Sequence, residues 1–369
     1  MLQPGLSSAS ARAELIKAAA VIIWDEAPMA NRAVLSCVDE TCRIVMNDDR
    51  SFGGKLVICV GDFRQTCPVV RGGSRAQVVD ASIRSSPLWQ DFDVMHLSTP
   101  IRNAEDPGFA TFVDSIGDGA GPEVDLSSTL RTVTTEEDMI LFVYPQDILN
   151  DPTACLTRAI LCPTNAQVDV YNNTLLDRIE SPARIYIAAD TLQEVANAGI
   201  VQPDGVLDYV ARHSPPGMPP HTLKIKLHAV FRLLRNFSID LGLVKNTRVV
   251  VVGMGNRLIT VRILRGIGGV NSIIGEDILI PRISFTSVLP SGHTLLRRQF
   301  PLAPAYATTF NSCQGLTLDR VGVDLTRDVF SHGQLYTALS RIRNRSHACV
   351  RLRTGEHCTK NVTYEELLL

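Results

Sequence analysis

The chain has 369 residues, 45% of them hydrophobic, enough to bury two or three cores. Its 36 basic and 38 acidic residues leave a net charge of −2, which excludes a globally cationic nucleic-acid binder; any such surface is a local patch. Nine cysteines without a CxxC pair argue against a zinc site and read as reduced thiols of an intracellular protein. No apolar run exceeds strand length, and Met1-Leu2-Gln3-Pro4-Gly5 opens neither a signal nor a transit peptide.

Two apolar runs each end in acid. Val21-Ile22-Ile23-Trp24 leads into Asp25-Glu26, and Leu56-Val57-Ile58-Cys59-Val60 leads into Gly61-Asp62-Phe63-Arg64-Gln65. Both read as buried parallel strands, and the carboxyl ends of such strands are where open α/β sheets bind ligands. Between them Ala30, Val34, Val38, Thr41 and Val45 fall at helical spacing. A further strand is expected over Asp93 to Leu97, then largely surface structure with one helix from Asp114 to Asn150. A second α/β unit opens at Arg158 to Pro163, followed by a helix with a Thr164-x-x-Gln167 capping box and a buried face of Val168, Tyr171, Leu175 and Ile179.

The proline-rich stretch Pro215 to Pro220 marks a boundary. The short strand-like runs from about 222 to 290 predict a small inserted β-barrel, with Gly266 to Gly275 as a hairpin-like turn. The α/β grammar returns with strands at Tyr306 to Thr309 and Val321 to Leu325. Ser331-x-x-Gln334 then caps a helix burying Leu335, Ala338, Leu339 and Ile342, a strand spans His347 to Leu352, and the tail from Glu356 to Leu369 is weakly patterned.

Adjacent carboxylates such as Asp25 and Glu26 suit nucleotide hydrolysis, because one can hold magnesium while its neighbour activates water. An acidic helix cap after a strand is the ordinary alternative. Gln65 stands where a side chain can touch a γ-phosphate, and Arg102 and Arg341 are candidate phosphate-sensing guanidiniums. Taken alone, Arg102 reads as a solvated arginine and Arg341 as a cation favoured by a helix end. Gln314-Gly315-Leu316-Thr317 lies on a strand-to-helix corner where backbone amides can meet phosphate. Lys224, Lys226, Arg232, Arg235, Lys245 and Arg248 cluster at the start of the strand-rich insert, either as a solvated face or as a phosphate-backbone groove. Gly53-Gly54-Lys55-Leu56 is no phosphate loop: Leu56 replaces the required hydroxyl residue and a strand follows.

In this order the segments resemble the helicase motifs of the PIF-one family, above all the version carried by Helitron transposons. They are Ile22 to Met29, Gly61 to Val70, Leu97 to Asn103, Ala159 to Asn165, Leu233 to Arg248, Phe310 to Leu318 and Phe330 to Arg343. The resemblance implies an α/β fold of two RecA-like parallel-sheet lobes, the first one incomplete, with a small inserted SH3-like β-barrel. The implied bounds are 1–100 for the first lobe, 101–220 with 300–369 for the second, and 221–299 for the barrel. It further implies an ATP-dependent helicase that steps five-prime to three-prime along DNA, single-stranded and duplex DNA as partners, and ATP with Mg2+ as cofactors.

By the same resemblance Asp25 would hold the metal, Glu26 activate water, Gln65 sense the γ-phosphate, and Arg102 and Arg341 reach across the cleft. Gln314 and Gly315 would join the nucleotide site, and Thr164, Asn165, Arg235, Asn236 and Thr317 would meet DNA. A nuclear location is implied, with the mitochondrion as alternative, in genome maintenance or mobile-element replication. The family's phosphate loop is not found in this sequence, so an N-terminally truncated motor without independent turnover is expected, with a non-catalytic DNA-binding remnant as the rival reading. Lys245-Asn246-Thr247-Arg248 and His228 depart from positions where the family favours glycine.

Overall fold

The computed structural model describes residues 10–70, 72–193, 215, 217–264, 274–289 and 292–368. It divides into two compact units, Met1–Thr134 with Phe310–Thr317 and Val323–Leu369, and Thr135–Thr309 with Leu318–Gly322. Helices and parallel strand pairs make the fold α/β.

In the first unit, β1 (Val21–Trp24) pairs in parallel with β2 (Leu56–Cys59), Val21 opposite Leu56 and Trp24 opposite Cys59. Strand alternation sends Ile22, Trp24, Val57 and Cys59 into a core of Ala27, Leu35, Cys42, Phe52 and Ile83. Burying a side chain such as Leu35 contributes about 2 kcal/mol. The opposite face carries Ile23, Leu56 and Ile58, which are 67%, 63% and 43% exposed. These strands are therefore covered on one face, not on both as expected.

The connecting helix α1 (Arg32–Met46) starts at Asn31, whose side chain accepts the Ala33 N–H, and ends at left-handed Asn47. Its buried stripe is Leu35, Asp39, Cys42 and Val45, one position round from the Val34, Val38 and Thr41 expected. Asp39 sets that phase: its carboxylate accepts the Phe52 N–H at 2.6 Å and Arg43 Nε at 2.8 Å, pinning the turn that feeds β2. The strand expected over Asp93 to Leu97 does not form. It has no ladder partner among the described residues, and Val94, Met95 and Leu97 stand 51%, 87% and 97% exposed.

Helix α2 (Pro107–Gly117), capped by Asp106, buries Phe109, Val113 and Ile116 at helical spacing. The tail is firmer than its patterning suggested. Cys358–Lys360 pairs with Glu123–Asp125, Asn361 Nδ2 donates to the Ile116 carbonyl at 3.0 Å, and Leu367 is fully buried with Cys67 and Val78.

In the second unit, the region expected to be surface instead contributes to the core. Helix Glu136–Val143, started by a Thr135–Asp138 capping box, buries Met139, Ile140 and Val143. Strand Arg158–Cys162 pairs in parallel with Ala307–Thr309. Helix Asn165–Arg178 packs Val168, Tyr171 and Leu175 inward, and buried Asn172 accepts the Tyr306 and Ala307 N–H groups while donating to the Ala307 carbonyl.

Antiparallel sheets follow. One orders Asp277–Pro281, Leu258–Arg262, Arg248–Met254, Val230–Leu233 and Leu302–Pro304. Another joins Ile283–Val288, Thr294–Gln299 and Ala189–Gln193, and Ala183–Ile187 pairs with Thr222–Lys226. Strands on both sides of 221–299 thus pair with those inside it. Pro216 and most of the expected Gly266–Gly275 turn lie outside the described residues. No helix among the described residues is long and apolar enough to cross a membrane.

Candidate nucleotide site

Strand pairing carries the two acidic tips together. The Val60 N–H donates to the Trp24 carbonyl at 2.8 Å and the Ala27 N–H to the Val60 carbonyl at 3.0 Å, so Asp25-Glu26 and Gly61-Asp62 leave the sheet side by side. Glu26 is left-handed, with φ 52°, and its N–H donates to Asp25 Oδ1 at 2.9 Å. Gly61 is required at this corner, since a Cβ there would lie 2.3 Å from Pro28 Cδ.

The segment after β2 is clamped by the region from Ser331 to Ser340. His332, fully buried, donates from Nε2 to the Phe63 carbonyl at 2.7 Å and accepts the Tyr364 N–H on Nδ1 at 2.8 Å. A donor at one ring nitrogen and an acceptor at the other fix a neutral tautomer. Burial pushes its pKa below the ordinary value, against the bond to Phe63 and the nearby Asp62. The Tyr336 hydroxyl donates to Asp62 at 2.6 Å, and burial beside that carboxylate raises the phenol's pKa. Gly333 is left-handed, and a Cβ there would approach the Arg64 carbonyl oxygen to 2.3 Å, so glycine lets this helix start sit against Gln65.

The helix itself, Gln334–Leu339, has Gly333 rather than Ser331 as its N-cap. Gln334 Oε1 nonetheless reaches back to the Phe330 and Ser331 N–H groups. Leu335, Ala338, Leu339 and Ile342 are buried as expected.

Just beyond this helix, Arg341 is 2% exposed and donates to the Thr337 carbonyl and the Ser340 hydroxyl, acceptors that carry no charge. Arg102 donates from Nη1 to the Ser340 carbonyl at 2.8 Å, and neighbouring Asn103 caps the Ile342 and Arg343 carbonyls. The residue is exposed as a whole, yet its guanidinium end is desolvated. That lowers its pKa, with repulsion from Arg341 adding and Glu26 opposing. Gln314 Nε2 donates to Glu26 Oε2 at 2.9 Å. The Gln65 Oε1 atom is buried without a hydrogen-bond partner among the described residues.

Asp25, Glu26, Gln65, Arg102, Gln314, Gly315, Thr317 and Arg341 thus all fall in the first unit. Thr164, Asn165, Arg235 and Asn236 fall in the second. There the Thr164 hydroxyl is engaged with Gln167, Asn236 accepts the Lys245 N–H, and Arg235 lies over the Phe285 ring. Much of the basic cluster is internal bracing: Lys226 donates to the Asp177 and Ile179 carbonyls and Arg248 to those of Leu156 and Arg158. Lys55 likewise caps the Lys17 and Ala19 carbonyls. Sequence reasoning missed Thr66 and Tyr336, whose roles are contacts across more than 200 residues of chain with no local signature.

The two acid-tipped strands share one unit with Arg102 and Arg341, whose guanidiniums have no carboxylate partner among the described residues. Residues 3–125 match the family model described as PIF1-like helicase. The ATP-dependent DNA helicase PIF1 of Danio rerio is 28% identical over 328 residues, 88% of this chain and 45% of that protein. Its Homo sapiens counterpart is 27% identical over 327 residues, 88% and 44% respectively. The Bacteroides Pif1 helicase solved with ADP-AlF3 and ssDNA has the same fold, with a TM-score of 0.67 at 22% identity over 99% of this chain and 76% of that one. The Candida albicans Pif1 helicase gives 0.62 at 21%, over 96% and 77%. The chain is thus similar to PIF1-like helicases, and it spans less than half the length of these curated relatives.

Proposed function

We propose that this chain carries the hydrolytic residues and the DNA track of an ATP-dependent DNA helicase moving five-prime to three-prime. The observation that carries the reading is Arg341, a buried guanidinium bonded, among the described residues, only to neutral acceptors. Burying a cation costs several kcal/mol unless an anion offsets it, and a transferring phosphoryl group is such an anion. Asp25, whose Oδ2 is not used by Glu26, suits Mg2+; Gln65 suits a γ-phosphate sensor through its amide NH2, which can donate to phosphate, while its buried Oε1 is left for a donor such as water. Bound magnesium nucleotide supplies the phosphoryl group and neutralises part of its charge. In this assignment Glu26 takes a proton from the attacking water, while Arg102 and Arg341 offset charge on the transferring group.

Gly315 approaches phosphate through its backbone, and Thr317 with Thr164, Asn165, Arg235 and Asn236 follows single-stranded or duplex DNA. The division into lobes 1–100 and 101–220 with 300–369, plus a barrel over 221–299, belongs to the same proposal. So do a nuclear or mitochondrial location and work in genome maintenance or Helitron replication. The sequence holds no Gly-rich phosphate loop ending in Lys and Ser/Thr. Since one charge-stabilising donor is worth roughly 10²–10³ in rate, turnover by this chain alone is expected to be very slow.

The second reading, a DNA-binding protein without catalysis, rests on the same missing loop. Phosphate release measured with single-stranded DNA separates the two. Release stimulated by DNA and abolished by Glu26→Gln supports the helicase; salt-sensitive DNA binding indifferent to magnesium nucleotide supports the second reading.

A further inference from the structure

We propose that Thr66 and Gln314 are positioning residues that hold the Glu26 carboxylate for its attack on water, a role resting on the proton-acceptor reading of Glu26. The geometry is a chain of hydrogen bonds. The Thr66 N–H donates to Thr337 Oγ1 at 3.2 Å, the Thr66 hydroxyl donates to Gln314 Oε1 at 3.1 Å, and Gln314 Nε2 donates to Glu26 Oε2 at 2.9 Å. Thr66 is 2% exposed and follows directly on Gln65, while Thr337 belongs to the helix that leads to Arg341.

The polarity of this chain is fixed by its two ends. An ionised carboxylate only accepts, so the Gln314 amide must turn its nitrogen to Glu26, leaving its oxygen for a donor. Thr66 supplies that donor. Without it the half-buried amide oxygen loses its partner, and the amide is free to rotate away from the carboxylate. With it, Oε2 of Glu26 is tied and the anion is stabilised there, while Oε1 takes no bond among the described residues and is left to receive a proton from water. The left-handed backbone of Glu26, held by the bond from its N–H to Asp25, fixes the other end of the side chain. Gln314 lies beside Gly315 and Thr317, so the same relay gives the proposed DNA-contacting corner a physical handle on the hydrolytic carboxylate.

The test uses the full chain with ¹⁵N-labelled glutamine, the Gln314 side-chain amide signal being assigned by its loss in Gln314→Ala. The expected result is that this signal moves toward the free-amide position in Glu26→Gln and in Thr66→Val, and keeps its wild-type position in Thr66→Ser. A signal unmoved in Thr66→Val overturns the relay.

In DNA-stimulated phosphate release, Thr66→Val is expected to lower kcat roughly tenfold, one hydrogen bond's worth, with KM for ATP unchanged and with rescue in Thr66→Ser. A rise in KM with kcat unchanged, or equal loss in Thr66→Ser, also overturns it. Release too slow to measure follows from the missing phosphate loop and not from Glu26, and the amide signal then decides whether the relay exists.

Discussion

His332 illustrates how much of this fold hangs on single side chains. Its neutral ring joins the Phe63 carbonyl to the Tyr364 N–H, and protonation would set an N–H on Nδ1 against that second donor. Asp62, Arg75 and Glu366 are the charges around it. Because its folded pKa is lowered from 6.5, the unfolded chain binds the proton more readily, so stability is full above that value and falls as pH drops below it. Denaturant unfolding at pH 7.5 and 5.5 is expected to show a loss in the wild type that is smaller in His332→Gln, whose amide can make both bonds without titrating. Equal losses would remove His332 from the account.

Sequence reading was accurate at this scale where a residue's neighbours are local. Thr164 accepts the Gln167 N–H as its spacing implied, and His228 and Asn246, standing where the resemblance implies glycine, do take the left-handed φ values of 63° and 71°. It failed for Thr66 and Tyr336, whose partners are set only once the chain has folded back.

At the scale of elements, β1 and β2 carry the site but are covered on one side only. Ile23, Leu56 and Ile58 leave an apolar face that nothing in the described residues covers, and contiguous apolar surface of this kind promotes self-association. Leu56→Thr with Ile58→Thr is expected to shift the protein toward monomer in sedimentation velocity while leaving Tm within a few degrees, since threonine keeps the strand propensity and these side chains are not in the core. A large fall in Tm would show that this face is packed in solution.

The same strands mark the limit of pattern reading. A continuous apolar run identified them correctly as strands, but a run cannot report whether both faces find a partner. For Asp93 to Leu97 the run was present and no neighbouring strand was among the described residues, so no ladder formed. Helix Glu136–Val143 erred in the opposite direction: acidic residues in its first turn made it look superficial, although they complement the helix dipole while Met139, Ile140 and Val143 fill the core.

For the whole molecule, the α/β class was legible from the two acid-tipped runs, and the similarity to PIF1-like helicases from the resemblance of the whole ordered series of segments. The gathering of Glu26, Gln65, Arg102, Gln314 and Arg341 within one unit was not, because Phe310–Thr317 and Val323–Leu369 join the N-terminal segment across a long intervening stretch of chain. The central claim is that Arg341 is buried for an anion and not for the fold. Equilibrium binding of Mg·ATP to the full chain, wild type against Arg341→Met, tests it directly. The account predicts roughly tenfold or greater weakening of Mg·ATP affinity with Tm unchanged or raised, because a buried cation without a carboxylate partner is removed. Unaltered affinity, or a lowered Tm with affinity intact, would contradict it.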